Sequence, residues 1–412
     1  MKEKLTAIDL FAGAGGFSLA ALQCGFDVLA AIEYDHAATN TYEQSIKNTF
    51  GSKNTKVYNT DINLIDPNRF MMEVGIAPGQ LDLLLGGPPC QGFSTHRIKD
   101  AGVDDPRNSL LLKYYEFVHV LQPKIFLIEN VAGLLWKRHE SYLATLKQNA
   151  EKNGYTIRFC DLLNARDYGV PQSRKRVFIL GIRNDLSPEQ VEFPPKPTHF
   201  APESKSGPAW KTASCVFEKP SEKVLNRYWP EYFSTKTKLS KQEVDDLLEN
   251  LEFGSKLDTN DPLNFNMGHT DGMVKVLRST PLNGSRADSN RILPCHKNHN
   301  GHKDVYGRVM LHLPSNTITT GCINPSKGRF VHPWENHGIS MRHAARLQTF
   351  PDKFIFYGNA TQQARQIGNA VPVKLGESLI TAIKPSLTIP KQYVDSKFVS
   401  AEKLIIINNS YS

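Results

Sequence analysis

Thr6-Ala-Ile-Asp-Leu-Phe-Ala-Gly-Ala-Gly-Gly-Phe17 decides the fold: a short β-prone run enters a glycine-rich turn, and an apolar helix pattern follows over 17–24. Strand, tight turn and helix in immediate succession make the first half of a βαβ unit. The glycines let the backbone approach a ligand closely, and free N–H groups at the start of the helix favour anionic groups. Such turns also occur with no ligand. The dinucleotide fingerprint is not met, because Ser18 stands where its third glycine belongs.

Working outward, the alternation continues. Strand-like runs at 27–33, 56–61, 81–86, 124–129, 155–163 and 176–182 are interleaved with amphipathic stretches at 36–47, 110–121 and 142–153. This order predicts an α/β fold, a mostly parallel sheet covered by helices on both faces. Leu-Leu-Leu at 83–85 and Ile-Phe-Leu-Ile at 125–128 suit strands buried on both sides. After Asn184 the texture changes, with Pro194, Pro195, Pro197, Pro202, Pro208 and Pro220 in a stretch of little periodicity. One helix pattern stands at 241–251, and others return at 342–348 and 368–384. The expected organisation is therefore a first domain over 1–188, a middle domain over 189–340, a returning segment over 341–390 and a loosely tied tail over 391–412.

Composition narrows the class. The chain has 412 residues, 40% hydrophobic and 22% charged, as in ordinary globular proteins. No apolar run approaches the roughly 18–20 residues a membrane helix needs, and Asp9 interrupts what would be a secretory signal. A cytoplasmic protein without a membrane partner is the expectation. The net charge of +8 is compatible with a polyanionic partner but does not identify one. Six scattered cysteines with no Cys-x-x-Cys read as reduced thiols.

Several residues stand at the ends of the strand runs, where open α/β sheets bind ligands. Glu33 could accept from two ribose hydroxyls, and Asp61 from an adenine amino group; with the glycine turn they describe a nucleoside pocket. Gly86-Gly-Pro-Pro-Cys-Gln-Gly-Phe-Ser94 follows another strand, and its two prolines make a rigid loop presenting Cys90. A lone cysteine is usually an inert buried thiol, yet this loop is an odd support for core packing. A nucleophilic thiolate wants nearby cations or donors, and an acid to activate the electrophile. Glu129, ending the 124–129 run, supplies that acid about one strand–helix–strand unit later. Arg174 and Arg176 precede the 176–182 strand, two apart and so on one side of an extended chain.

Phe-Ala-Gly-Ala-Gly-Gly (11–16), Gly-Gly-Pro-Pro-Cys-Gln-Gly-Phe-Ser (86–94), Glu-Asn-Val (129–131), Gln-x-Arg-x-Arg (172–176), Arg-Leu-Gln-x-Phe-Pro (346–351) and Gln-Ile-Gly-Asn-Ala-Val-Pro (366–372) occur in that order. The chain resembles the bacterial-type DNA (cytosine-5)-methyltransferases from its start to about residue 385, the variable middle apart. The resemblance implies a Rossmann-like methyltransferase fold with a smaller, irregular target-recognition domain. It implies S-adenosylmethionine as cofactor, with Phe11 on the adenine, the backbone of Ala12, Gly13, Gly15 and Gly16 around the methionine part, and Glu33 on the ribose. Tyr34, Asp61 and Ile62 would border the base, Leu110 would add an apolar contact, and Asn369 and Val371 would close the pocket.

The same resemblance makes Cys90 the nucleophile towards carbon 6 of a swung-out cytosine and Glu129 the acid at ring nitrogen 3. Arg174 would steady the base, with Arg176 in support. Double-stranded DNA is the implied partner, and phosphate contacts are expected from Arg278, Arg286, Arg291, Lys297, Lys303, Arg308, Lys327 and Arg329. A restriction endonuclease, where one exists, would act as a separate protein, and a monomer is the default. Cys295, His296, His299 and His302 fit no common zinc spacing, so no metal is expected. The readings left open are an RNA cytosine methyltransferase on this scaffold and a catalytically silent DNA-binding relative.

Overall fold

The first strand, β1 (Thr6–Leu10), sits at the middle of a sheet ordered β3-β2-β1-β4-β5-β7-β6. Its partners are β2 (Asp27–Glu33), β3 (Lys56–Asn59), β4 (Leu83–Gly86), β5 (Ile125–Asn130), β6 (Tyr155–Asn164) and β7 (Lys175–Arg183). The pairs from β3 to β5 are parallel, and β7 is antiparallel to both β5 and β6. This computed structural model describes residues 4–89, 109–187, 191–227, 242, 246, 249–289 and 304–387.

Alternation along the strands builds two cores. Ala7, Leu83, Leu85, Ile125 and Leu127 point to one face, while Ile8, Leu10, Leu84, Phe126 and Ile128 point to the other. The first face is covered by α1 (Gly16–Gln23) and, from the far end of the chain, α9 (Val373–Leu387). Gly376 makes this contact close, because a Cβ there would meet the Ala20 methyl at 2.8 Å. The second face carries α3 (Pro67–Val74), α4 (Ser109–Leu121) and α5 (Glu140–Lys152). Each large apolar side chain buried in these layers contributes roughly 1.5–3 kcal/mol.

Some expected elements differ in detail. The 36–47 helix is α2 (His36–Thr41) followed by a wide π-type stretch at Tyr42–Thr49. There the Tyr42 ring and Ile46 lie against Gly15, where a Cβ would meet them at 2.7–3.0 Å. The strand expected over 56–61 stops at Asn59, and Asp61 instead caps a short 3-10 turn, accepting from the Asn63 N–H at 2.9 Å. The helix expected over 368–384 is two: α8 (Ala360–Asn369) ends before Pro372 and α9 starts after it. Proline lacks an N–H and forces the residue before it out of the helical region.

The middle segment holds α6 (Asp271–Ser279) and a small core of Val276, Leu277, Tyr306 and Val331. It is tied to α7 (Met341–Leu347) by the buried Arg342, which pairs with both carboxylate oxygens of Asp261 at 2.5 and 3.0 Å. Most of the 241–251 helix expectation lies outside the described residues.

Candidate active site

Three parallel strand ends converge where the chain leaves β1, β4 and β5. Gly86 allows this approach: a Cβ there would meet the Tyr114 ring at 2.6 Å and the Leu10 carbonyl at 2.9 Å. The Tyr114 hydroxyl donates to the Leu84 carbonyl at 2.9 Å, fixing that ring. Parallel pairing of Gly86 with Ile128 then sets Glu129 beside Gly87, where a Cβ would lie 3.6 Å from Glu129 Oε2. Asn130 donates to the Pro88 carbonyl at 3.3 Å, anchoring the start of the Gly-Gly-Pro-Pro loop to β5. Cys90 lies outside the described residues, two positions beyond that anchor.

Glu129 is 9% exposed, and Arg176 Nε lies 3.0 Å from its Oε1. The pair holds the carboxyl at the mouth of the strand cluster. Arg174 is used differently from the expected base-steadying role. It is 1% exposed, and its two terminal nitrogens donate to the carbonyls of Ile318 and Gly368, each at 3.0 Å. Burial, together with the Arg176 charge and against the pull of Glu129, lowers Arg174 to about 9. It braces backbone, so the arginine that meets the glutamate is Arg176.

Beneath Arg174 lies a buried amide ladder whose members the sequence motifs contain without disclosing their role. Gln172 donates to the Leu347 carbonyl at 3.1 Å and to Gln348 Oε1 at 2.8 Å, and accepts from the Ile318 N–H at 2.8 Å. Gln348 donates onward to the carbonyls of Ile367 and Ala370 at 2.6 and 3.2 Å. The motifs at 172–176, 346–351 and 366–372 thus meet in one polar core, which satisfies backbone groups that burial would otherwise strand.

The glycine turn is the second half of the site. Phe11, Gly13 and Gly15 all have positive φ, of 58°, 56° and 93°, so three left-handed residues fold the chain back on itself within five positions. Glu33 stitches the turn to β2: its carboxylate accepts from the Gly13 N–H at 2.8 Å and the Asp35 N–H at 2.7 Å. Burial raises its pKa despite those bonds. The Ala12 N–H donates to the Ile32 carbonyl at 3.0 Å. Gly16 meets the returning chain, since a Cβ there would lie 2.6 Å from the Val371 carbonyl.

Around this turn Ile62 is buried, Tyr34 is 75% exposed and Asn369 is exposed. Phe11 and Leu110 pack half-buried against the same apolar cluster. The geometry suits a nucleoside carrying an amino-acid tail. It offers a carboxylate for hydroxyl groups, backbone N–H groups in a strained turn, and aromatic or apolar walls at Phe11, Tyr34 and Ile62. Asp9, Ser18 and Tyr42 form a buried chain behind the turn that nothing in the sequence singled out.

In the middle segment two of the expected phosphate contacts are internal. Arg308 is 2% exposed and donates to the carbonyls of Leu277, Thr280, His332 and Glu335 and to Asn336 Oδ1. Arg329 donates to the carbonyls of Asn283, Gly284 and Arg308 and pairs with Asp304. Arg278 and Lys327 are exposed, while Arg291, Lys297 and Lys303 lie outside the described residues. Arg278 and Arg227 border a cleft of about 530 Å³ with Trp334 and Asn336. Cys295, His296, His299 and His302 also lie outside the described residues. No cluster of three metal-ligating side chains occurs among those described.

Residues 5–385 match the family described as C-5 cytosine-specific DNA methylase. The chain is 31% identical to the type II methyltransferase M.AgeI of Thalassovita gelatinovora, over 93% of this chain and all of that protein. It is also 31% identical to the type II methyltransferase M.DdeI of Desulfomicrobium norvegicum, over 92% of this chain and 88% of the relative. A solved structure of a prophage-encoded protein of E. coli, assigned as a DNA modification methyltransferase, superposes with a TM-score of 0.64. It covers 94% of this chain and all of that one at 23% identity, a likeness of fold.

Proposed function

Because this chain belongs to the C-5 cytosine-specific DNA methylase family, and so transfers methyl from S-adenosylmethionine to carbon 5 of cytosine in DNA, we propose that Cys90 and Glu129 carry the reaction with Arg176 beside them. The observation that carries this reading is the position of Glu129, held at 3.0 Å by Arg176 and next to Gly87 at the root of the Cys90 loop. Carbon 5 of neutral cytosine is a poor nucleophile. Addition of the Cys90 thiolate to carbon 6, with a proton from Glu129 to ring nitrogen 3, makes the ring enamine-like and raises electron density at carbon 5. When bound, S-adenosylmethionine supplies an electrophilic methyl group. Once carbon 5 carries the methyl, loss of its proton expels Cys90 as thiolate, and ring nitrogen 3 returns its proton to Glu129, which restores the ring.

The cofactor would be held by Phe11, the backbone of Ala12, Gly13, Gly15 and Gly16, and Glu33, with Tyr34, Asp61 and Ile62 around the base. Leu110, Asn369 and Val371 complete this reading from α4 and the returning chain. Arg174 acts as a brace that keeps Arg176 in place. Residues 1–188 and 341–390 act as the catalytic unit, 189–340 as the region that reads DNA, and 391–412 as a tail. The packing of α9 on α1 supports this division. The enzyme works as a cytoplasmic monomer, and any cognate endonuclease is a separate protein. Among the described residues no helix is long and apolar enough to cross a membrane.

A duplex oligonucleotide carrying 5-fluorocytosine in its methylation site, mixed with S-adenosylmethionine, tests the mechanism. A covalent adduct mapping to Cys90 by mass spectrometry is expected, slowed in Glu129→Gln and absent in Cys90→Ala. An adduct that forms normally in Cys90→Ala removes the reading.

A further inference from the structure

Two carboxylates flank the glycine turn, and neither makes an ion pair among the described residues. Asp9, the fourth residue of β1, is 1% exposed. Its Oδ2 accepts from the Ser18 N–H at 3.2 Å and from the Ser18 hydroxyl at 2.7 Å. Ser18 Oγ in turn accepts from the buried Tyr42 hydroxyl at 2.7 Å. The groups facing Asp9 are Ser18 of α1, Tyr42 of the wide stretch, Tyr114 of α4 and Glu33 at the end of β2. They are hydroxyls and a second carboxylate. Glu33 itself faces Asp35 and backbone N–H groups.

Helix capping accounts for part of this. Gly15 has no side chain to cap α1, so Asp9 reaches across from β1 to take the Ser18 N–H, third in the helix. A neutral acceptor would serve that purpose without burying a charge beside another of the same sign. Buried carboxylates lacking a cation are costly and concentrate at ligand sites. The bound methyl donor carries a sulfonium cation, and the product left after transfer is a neutral thioether.

We propose that Asp9, held by the Tyr42–Ser18 hydroxyl chain, joins Glu33 in a negative field completed by the sulfonium charge of the donor, so that this pocket tells donor from product by charge. The inference rests on the cofactor reading above. Burial pushes Asp9 up to about 7, with the two Ser18 bonds pulling it back and Glu33 adding to the rise. Donor therefore binds the ionised form. At and below neutral pH its arrival expels a proton, while the thioether product, lacking the sulfonium charge, expels fewer.

Calorimetric titration of the full chain with S-adenosylmethionine and with S-adenosylhomocysteine measures this directly. It is run in two buffers of different ionisation enthalpy between pH 5.5 and 7.0, below the usual α-amino range. More protons should leave per donor than per product. The ratio of product Kd to donor Kd should rise several-fold across the window, and rise less steeply in Asp9→Asn, where Glu33 alone remains. A flat ratio in the unaltered protein, or an undiminished slope in Asp9→Asn, overturns the proposal. If Asp9→Asn fails to fold, Ser18→Ala serves instead: losing one bond to the carboxylate should move the slope to higher pH, and an unmoved slope overturns it equally. Donor that binds at no pH would remove the cofactor reading, and this inference with it.

Discussion

The arginines of the strand-end cluster and those of the middle segment sort in the same way, although the two regions are built differently. At the sheet edge, Arg174 is consumed by the carbonyls of Ile318 and Gly368, and Arg176 is left to face Glu129. In the middle segment, Arg308 is consumed by four carbonyls and Asn336, and Arg278 is left exposed on a cleft. A guanidinium keeps its charge in nearly any environment and carries five donors, so a loop-rich region short of regular hydrogen bonds can fold around one. Each arginine left over is thereby held near a structural one, which makes the two kinds separable by experiment.

Replacing the structural members should give the largest effect. Arg308→Met takes the guanidinium from the carbonyls of the buried residues Leu277, Thr280 and His332, and breaking one side of such an arrangement costs about 3–5 kcal/mol. Chemical unfolding should show that loss, and hydrogen exchange should show it concentrated around α6 and residues 304–336. A variant as stable as the parent, weakened only in DNA binding, would mean that Arg308 serves the ligand and that the comparison fails. Arg174→Met should behave likewise, with lost protection where 315–319 meets α8.

Acid should separate the two regions by about as much, and in opposite directions. His312, His332 and His343 are buried in the middle segment and its junction with α7, and burial lowers all three, His312 to about 4 and His343 to about 3. Below the unfolded value of 6.5 the unfolded chain takes up protons that the folded chain refuses. Stability falls by about 1.4 kcal/mol per histidine at one unit below that value. Asp9 runs the other way: its folded value is raised to about 7, so lowering the pH from 7 to 5.5 favours the folded sheet edge by roughly 2 kcal/mol. Hydrogen exchange at pH 7.5 and 5.5 should lose protection over 306–343 and keep it over 6–33. Equal loss in both regions would show that these buried groups do not set the pH response.

The sheet was legible because its signals are local. Apolar runs at 83–85 and 125–128 and the glycine turn after Leu10 specify strands and their ends without reference to distant residues. The end of α8 was legible in principle from Pro372, whose meaning the continuous apolar pattern of 368–384 obscured. The buried partners were not readable, because Asp9 and Tyr42 are linked through Ser18 only after α1 and the wide stretch pack together, and Gln172 meets Gln348 from 176 residues away. Arg308 and Arg329 looked like phosphate contacts for a related reason. Sequence reports that a charge is present, while burial and nearby carbonyls decide what it holds. The Cys90 loop lies outside the described residues, so its part in the site rests on the motif and on Gly87 and Pro88 at its root.

The smallest effect belongs to the exposed arginine of the middle segment, and it is also the most specific. Arg278 makes no hydrogen bond or ion pair among the described residues, and it borders the cleft shared with Arg227, Trp334 and Asn336. Its removal therefore strands no carbonyl, and Arg278→Ala should unfold within about 0.5 kcal/mol of the parent. If the side chain neutralises one phosphate, the logarithm of DNA affinity should fall with the logarithm of salt by about 0.9 less steeply in the variant. That slope separates the possible roles better than affinity does, since an arginine reading a base edge would change discrimination between sites as well. An unchanged slope and unchanged discrimination would take Arg278 out of the DNA interface, and the sorting of arginines would then hold only at the sheet edge.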